Sequence, residues 1–315
     1  MKILQLDQNH PLISEQLTAK GFVVEEDYSS DYDEILEKVA DYQGIIIRSR
    51  IPLDQNFLTK ASHLKFIARV GAGMENIDVE TATKLGIKLI NSPEGNRDSV
   101  AEHVVGMLLI LMNRLFIASN EVKNGIWKRE ENRGDELLGK TFGIIGYGNM
   151  GKAVAKRLSG FGVEVIFYDI LPDLSDELAT QVSLKELQRR SDVLSLHIPL
   201  TSETHYLIDE YFISKINKNF YFINTARGKN VKTKALVEAI KSGKILGACL
   251  DVLEYEKSSF ENLDTSTSLS TGENQDLQFL LDSEKVIVTP HIAGWTYQSK
   301  TKLAQVIVDK ILTDF

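Results

Sequence analysis

The sequence predicts an α/β protein made of two parallel-stranded domains. Three observations carry that expectation. The chain has 315 residues, about two domains at ~150 residues each. Short β-branched runs alternate with helix-length stretches, in two successive series. The second series opens on a glycine-rich turn between an apolar strand and a helical pattern.

The first series comprises Lys2–Leu6, Phe22–Glu25, Gly44–Ile47, Leu64–Ala68 and Lys88–Ile90. These five strands need one more helix to cover their sheet, and the helical pattern Ser299–Leu312 is expected to return and supply it. Between the series, a helix is expected from Ser99 to about Asn124, with Asn96 or Asp98 capping its start. Its interior, AEHVVGMLLILMN, is apolar nearly all round, so it is buried within a domain or against a second subunit. The apolar stretch Val104–Ala118 is 15 residues and holds Asn113 and Arg114. A membrane span needs about 20 mostly apolar residues. The polar run KNGIWKREENRGDELLGK reads as a surface excursion.

The second series comprises Thr141–Ile145, Glu164–Tyr168, Val193–His197, Tyr221–Asn224, Leu246–Val252 and Val286–Thr289, enough for a full dinucleotide-binding sheet. Residues 257–283 read as a polar loop with one short helix. Composition narrows the classes further. The net charge is −8, which gives no attraction for phosphate backbones, so nucleic acid is not expected as a partner. The single cysteine, Cys249, leaves no intrachain disulfide and no multi-cysteine metal motif, and the six histidines show no HExxH spacing. No metal is expected. The start, MKILQLDQNHP, has no apolar leader and reads as cytoplasmic.

The turn GYGNMG carries Gly146, Gly148 and Gly151 in GxGxxG spacing, followed by a helix, a second strand and Asp169, 23 residues after Gly146. Gly146 permits the tight turn, Gly148 lets a pyrophosphate approach the backbone, and Gly151 allows close helix–strand packing. The helix N-terminus offers N–H groups and a favourable dipole to an anion. Asp169 can accept from ribose hydroxyls and repels a 2′-phosphate, and the neighbouring Ile170 offers no compensating cation. NAD is therefore the expected cofactor.

A second glycine-rich turn, Arg69-Val-Gly-Ala-Gly73, follows the fourth strand of the first series. Its N–H groups can hold a carboxylate. Arg48-Ser49-Arg50 ends the preceding strand; the two arginines suit an anion or a structural ion pair. In the second series, successive strands deliver Arg227, Glu256 and His291 to the same edge as the glycine loop. An arginine grips carboxylates, a histidine exchanges a proton near neutral pH, and a carboxylate beside it fixes its tautomer. Singly, each has a plainer reading, as an ion pair, a surface acid and a turn cap.

Taken together, IIIRSR, RVGAGMENID, NSPEGNRDSVAEH, LLGKTFGIIGYGNMG, SLHIPLTSETHYLI, INTARGK, GACLDVLEYE and TPHIAGWT resemble the D-isomer-specific 2-hydroxyacid dehydrogenases, most closely their D-3-phosphoglycerate dehydrogenase type. The resemblance runs from about Gly44 to Thr296. It implies a Rossmann NAD-binding domain over 99–291 and a smaller flavodoxin-like substrate domain over 1–98 and 292–315. It implies that Arg227 holds the substrate carboxylate, that His291 is the acid/base and that Glu256 pairs with it. Gly146, Gly148, Asn149, Met150 and Gly151 match the pyrophosphate loop, Asp169 the ribose acid, and His197, Pro199 and Thr204 the adenine-side wall. Thr225, Ala226, Asp251 and Gly294 match the nicotinamide end. Val70, Gly71 and Ala72 match the substrate-carboxylate turn, and Arg48 and Ser49, with Arg50 and Arg69, the substrate-phosphate region. A homodimer formed through the apolar helix that begins near Ser99 and the excursion that follows it is also implied.

Three departures stand out. Lys257 follows Glu256 where the family commonly has proline, the 257–283 stretch is longer and more polar, and Trp295 replaces a common small serine. The indole is expected either to narrow the substrate pocket or to pack at an interface. No regulatory domain follows the catalytic core before Phe315, so serine is not expected to inhibit through one. The expected activity is reversible, NAD-dependent oxidation of a small anionic D-2-hydroxy acid, most directly 3-phosphoglycerate. Lactate, glyoxylate or hydroxypyruvate chemistry and an NAD(H)-sensing binding protein are the alternatives.

Overall fold

The computed structural model describes residues 1–256 and 272–315. Lys257 and most of the polar 257–283 stretch lie outside the described residues; its end forms a helix, Gly272–Asp282. The chain divides into two compact units, Met1–Arg97 with Gly294–Phe315, and Asp98–Ala293.

The first unit holds a five-stranded parallel sheet of β1 (Lys2–Gln5), β2 (Val23–Glu26), β3 (Gly44–Ile47), β4 (Phe66–Arg69) and β5 (Lys88–Asn91). Its order, β2-β1-β3-β4-β5, is the flavodoxin-like doubly wound order. All four residues of the central strand β3 are buried, as the continuous run Gly-Ile-Ile-Ile requires of a strand covered on both faces. Gly44 pairs in register with Phe66. A β-carbon on Gly44 would lie 2.3 Å from the Phe66 ring, so the glycine makes room for that ring. The helix Tyr297–Asp314 opens on a reciprocal cap between Thr296 and Ser299. It buries Leu303, Ala304, Ile307, Val308 and Ile311, a helical stripe, against Ile3, Ile46, Phe66 and Ile90. Each of the larger side chains in that stripe contributes about 1.5–3 kcal/mol by leaving water.

The second unit holds seven parallel strands, β6 (Thr141–Ile145), β7 (Glu164–Tyr168), β8 (Thr180–Gln181), β9 (Val193–Leu196), β10 (Phe220–Asn224), β11 (Ile245–Leu250) and β12 (Val286–Val288). Their order, β12-β11-β10-β9-β6-β7-β8, is the six-stranded Rossmann order with one strand added beyond it. Chain direction across the sheet reverses between β6 and β9, the place where such sheets bind ligands at their carboxyl ends. The short edge strand β8 is not marked in the sequence; two polar residues carry no strand pattern.

The linking helix departs from expectation. It runs Pro93–Met112, and a second helix covers Leu115–Lys123. Proline presets the backbone for a first helical turn, so Asn96 and Asp98 lie inside the helix rather than capping it. Arg114 adopts φ +51 and separates the two helices, which bend by 59°. The apolar face of Pro93–Met112 is core: Val100, Val104, Met107, Leu108 and Leu111 pack on Phe142 and Ile144. Among the described residues no single helix is long and apolar enough to cross a membrane; the bent pair meets that test by length and composition alone.

Candidate active site

All strands of the second unit are parallel. The segments after β6, β7, β9, β10, β11 and β12 therefore emerge at one edge. Those segments carry the glycine loop, Asp169, His197, Arg227, Glu256 and His291 respectively.

The glycine loop is set by close approaches. Gly146 adopts φ +92, and a β-carbon there would lie 2.5 Å from the His197 carbonyl oxygen, across the β6–β9 reversal. A β-carbon on Gly151 would lie 2.2 Å from the Gly146 oxygen. Gly148 faces open space, and the helix Asn149–Leu158 that it begins has no side-chain cap. Tyr147 anchors the loop from below. Its ring is buried and stacks on Phe167 at 3.8 Å, and its hydroxyl donates to Asp176 Oδ1 at 2.8 Å. Burial and the Asp176 carboxylate push that phenol up. Sequence reasoning missed Tyr147; an aromatic residue inside a glycine turn was the available signal. Asp169 Oδ2 accepts from Tyr147 N–H at 2.7 Å and Oδ1 from Leu171 N–H at 3.0 Å. Beside it stands Ile170, 87% exposed, an apolar side chain that cannot pair with a 2′-phosphate. Met150 packs on the core behind the loop.

His197 Nε2 lies 2.9 Å from Ser195 Oγ, and burial pulls its imidazole down to about 4. The Pro199 carbonyl accepts from Thr204 Oγ1 at 2.7 Å, closing the turn after β9. Asn224, at the buried end of β10, shapes the next segment: its Oδ1 accepts from Ala226 N–H at 3.0 Å, and its Nδ2 donates to the Arg227 carbonyl at 2.9 Å. Arg227 Nη1 donates to the Ala226 carbonyl at 2.6 Å. Thr225 Oγ1 is buried without a hydrogen-bond partner.

After β11 and β12 the structure brings Glu256 and His291 together. His291 Nδ1 lies 2.7 Å from Glu256 Oε2, both side chains mostly buried. The second Glu256 oxygen accepts from Leu253 N–H, which holds the carboxylate in place. Asp251, expected at the nicotinamide end, is instead 2% exposed and engaged beneath this turn. Its Oδ1 accepts from Thr289 Oγ1 at 2.6 Å and Ile292 N–H at 2.8 Å, and its Oδ2 from Ala293 N–H at 2.8 Å.

In the first unit, Arg48, Ser49 and Arg50 follow β3, and Arg69 ends β4. Arg50 does not fit the phosphate expectation. Its Nε, Nη1 and Nη2 donate to the carbonyls of Leu6, Ser30 and Asp27, so the guanidinium clamps backbone. The Arg48 guanidinium lies 4.3 Å over the Trp295 ring, so the indole packs on an arginine of its own unit. Arg69 Nε donates to the Arg48 carbonyl at 3.2 Å. Val70 N–H donates to Ile47 at 2.9 Å, and Gly71 N–H to the Arg69 carbonyl and Ser92 Oγ. Those two N–H groups, expected to face a carboxylate, are spent inside the protein. The Ala72 carbonyl accepts from Asn91 Nδ2 at 2.7 Å. Gly294 packs against Asn96, whose Nδ2 would lie 2.5 Å from an added β-carbon.

The comparisons with known proteins agree on the family and differ in the acid their members act on. Residues 105–293 match the family model described as D-isomer specific 2-hydroxyacid dehydrogenase, NAD binding domain. The chain is 34% identical over 282 residues to a hydroxypyruvate reductase of Thermotoga maritima, covering 90% of this chain and 88% of that protein. It is 35% identical to a D-3-phosphoglycerate dehydrogenase of Archaeoglobus fulgidus over 99% of this chain, but only 57% of that longer protein. The crystal structure of an Aquifex aeolicus D-lactate dehydrogenase with NAD and lactic acid superposes with a TM-score of 0.83 at 32% identity, covering 100% of this chain and 95% of that one.

Proposed function

The chain belongs to the D-isomer specific 2-hydroxyacid dehydrogenases, and on that premise we propose that it interconverts a D-2-hydroxy acid and its 2-oxo acid, with 3-phosphoglycerate as substrate. The observation that carries the reaction is the Glu256–His291 pair at 2.7 Å, one strand over from Arg227.

The second unit fits NAD. Gly148 leaves open space at an uncapped helix start, each Asp169 oxygen keeps a lone pair beyond its backbone bond, and Thr225 Oγ1 lacks a partner. Gly148, Asn149 and Met150 would hold the pyrophosphate, Asp169 the ribose and Thr225 the nicotinamide end. When bound, the nicotinamide takes or supplies the hydride. With Nδ1 turned to Glu256, His291 Nε2 removes the hydroxyl proton in oxidation and returns it in reduction. Glu256 holds the ring in that orientation. Arg227 grips the carboxylate and stabilises charge developing on the reacting oxygen.

The phosphorylated substrate draws support from the Archaeoglobus relative and from Arg48 and Arg69 at the ends of β3 and β4. A second reading, a hydroxypyruvate or glyoxylate reductase, is favoured by the engagement of Arg50 with backbone and by Trp295 covering one face of Arg48. The test is NADH oxidation across 3-phosphohydroxypyruvate, hydroxypyruvate, glyoxylate and pyruvate. A strong preference for the phosphorylated acid supports the first reading and an early step of serine synthesis. A preference for an unphosphorylated acid keeps the reaction and transfers the assignment to the second. No turnover with tight NADH binding points to an NAD(H)-sensing protein.

One face of Pro93–Met112 is core, which leaves the helix Leu115–Lys123 and the excursion after it, both within the stretch expected to form the dimer contact, to supply it. Exposed apolar residues concentrate there: Leu115, Phe116 at 62% exposure, Val122, Ile126 and Trp127 at 77%. This concentration of large exposed apolar side chains is the surface proposed to close a homodimer.

A further inference from the structure

His103 lies on the linking helix, away from the groups given a chemical role above. Its Nε2 is 3.0 Å from Thr289 Oγ1 and 3.6 Å from Asp251 Oδ1. The Thr289 hydroxyl has one proton, and the carboxylate oxygen at 2.6 Å takes it. The oxygen therefore faces His103 as an acceptor, and the N–H on His103 must be at Nε2. From the same helix, Met107 Sδ lies 3.8 Å from this hydroxyl and competes poorly for its proton. Asp251 passes the constraint on: its carboxylate accepts from Ile292 and Ala293 N–H, and its carbonyl accepts from His291 N–H at 2.8 Å. His291 sits at φ +54, a conformation that the surrounding bonds must hold.

We infer that His103 is a positioning residue for His291, acting through Thr289 and Asp251 to hold the turn that presents the His291 ring to Glu256. This rests on the reading of His291 as the acid/base. Removing the Nε2 donor leaves Thr289 and Asp251 in place but frees the turn to sample orientations in which His291 Nδ1 is off Glu256.

The test uses the full-length protein and three readouts: steady-state kinetics on the best 2-oxo acid, NADH affinity by fluorescence, and the His291 Nδ1 signal in nitrogen NMR. His103→Leu is expected to lower kcat about tenfold, less than the ~10²-fold that a full 1 Å misplacement of a catalytic group can cost, with NADH Kd and KM within about twofold and the His291 signal displaced. His103→Gln keeps an amide donor and is expected to restore kcat to within about threefold and return the signal. Wild-type turnover in His103→Leu, or an equal loss in His103→Gln, overturns the assignment. If His103→Leu does not fold, Thr289→Ser and Thr289→Val carry the same comparison, with serine expected to keep the function and valine to lose it. If the wild type reduces no 2-oxo acid, the proposed function fails by itself; the NMR comparison still decides whether His103 positions His291.

Discussion

His291 occupies a left-handed backbone conformation that costs a non-glycine residue roughly 1–2 kcal/mol. That cost is borne because Asp251 binds the turn on both sides of it. His291→Ala is expected to cut turnover by ~10²-fold or more, the scale of a lost general acid/base, while NADH titrated by fluorescence binds normally. Full turnover in that variant would remove the acid/base assignment. Glu256→Gln keeps an acceptor but loses the charge, and it is expected to lower kcat with little change in NADH affinity. His197 tests a different link. Burial pulls its imidazole down to about 4, whereas the unfolded chain takes up a proton near 6.5. Stability carried by the neutral ring is whole above about pH 6.5 and is lost as pH falls toward 4. At ~1.4 kcal/mol per pH unit, that loss is of the order of 2–3 kcal/mol. His197→Gln removes the titration, so urea unfolding at pH 7 and at pH 4.5 should show a smaller loss in the variant. Equal losses would take His197 out of the acid response.

At the scale of elements, the longer strands and the terminal helix are legible in the sequence, while the two-residue strand β8 and the start and break of the linking helix are not. In the first sheet β3 and β4 are apolar runs buried on both faces, which sets their register; the edge strand β2, Val-Val-Glu-Glu, has no buried residue and is held by its pairing with β1. The linking helix differs from expectation at its start, because Ser92-Pro93-Glu94-Gly95 has the composition of a loop, and at its internal break, because the conformation of Arg114 has no residue signature; its far end, Lys123, agrees. The glycine loop gives the sharpest element-level test. In Gly151→Ala the added carbon meets the Gly146 carbonyl oxygen, a backbone atom with little room to move. The helix must lift from β6, so NADH affinity should fall at least about tenfold and stability by about 1–3 kcal/mol. Retained NADH affinity would mean that the loop does not hold the pyrophosphate.

At the scale of the whole molecule, two expectations can be checked without substrate. Cys249 is fully buried in the second core, and burial pushes its thiol far above the ordinary range. A thiol reagent should label it only on unfolding, with a rate that follows denaturant; prompt labelling of the native protein would contradict the packing of β11. The exposed apolar surface around Phe116 and Trp127 should bring two copies together in solution. Light scattering should report a dimer, and Phe116→Glu with Trp127→Glu a folded monomer. A wild-type monomer would leave that surface without the proposed partner.

The sequence by itself determined the two parallel sheets, the glycine loop with Asp169, and the delivery of Arg227, Glu256 and His291 to one sheet edge. Those features rest on local signals: strand-forming runs, turn glycines and fixed spacing along the chain. Only the tertiary structure decided which polar groups are already consumed. Arg50 is bound by carbonyls 20 to 44 residues away. Asp251 is held by a turn 38 to 42 residues later, and His103 reaches Thr289 across 186 residues. A side chain's type states what it can bond, but its partner is set by whatever the packed core places within ~3 Å of it, and no local pattern carries that distance.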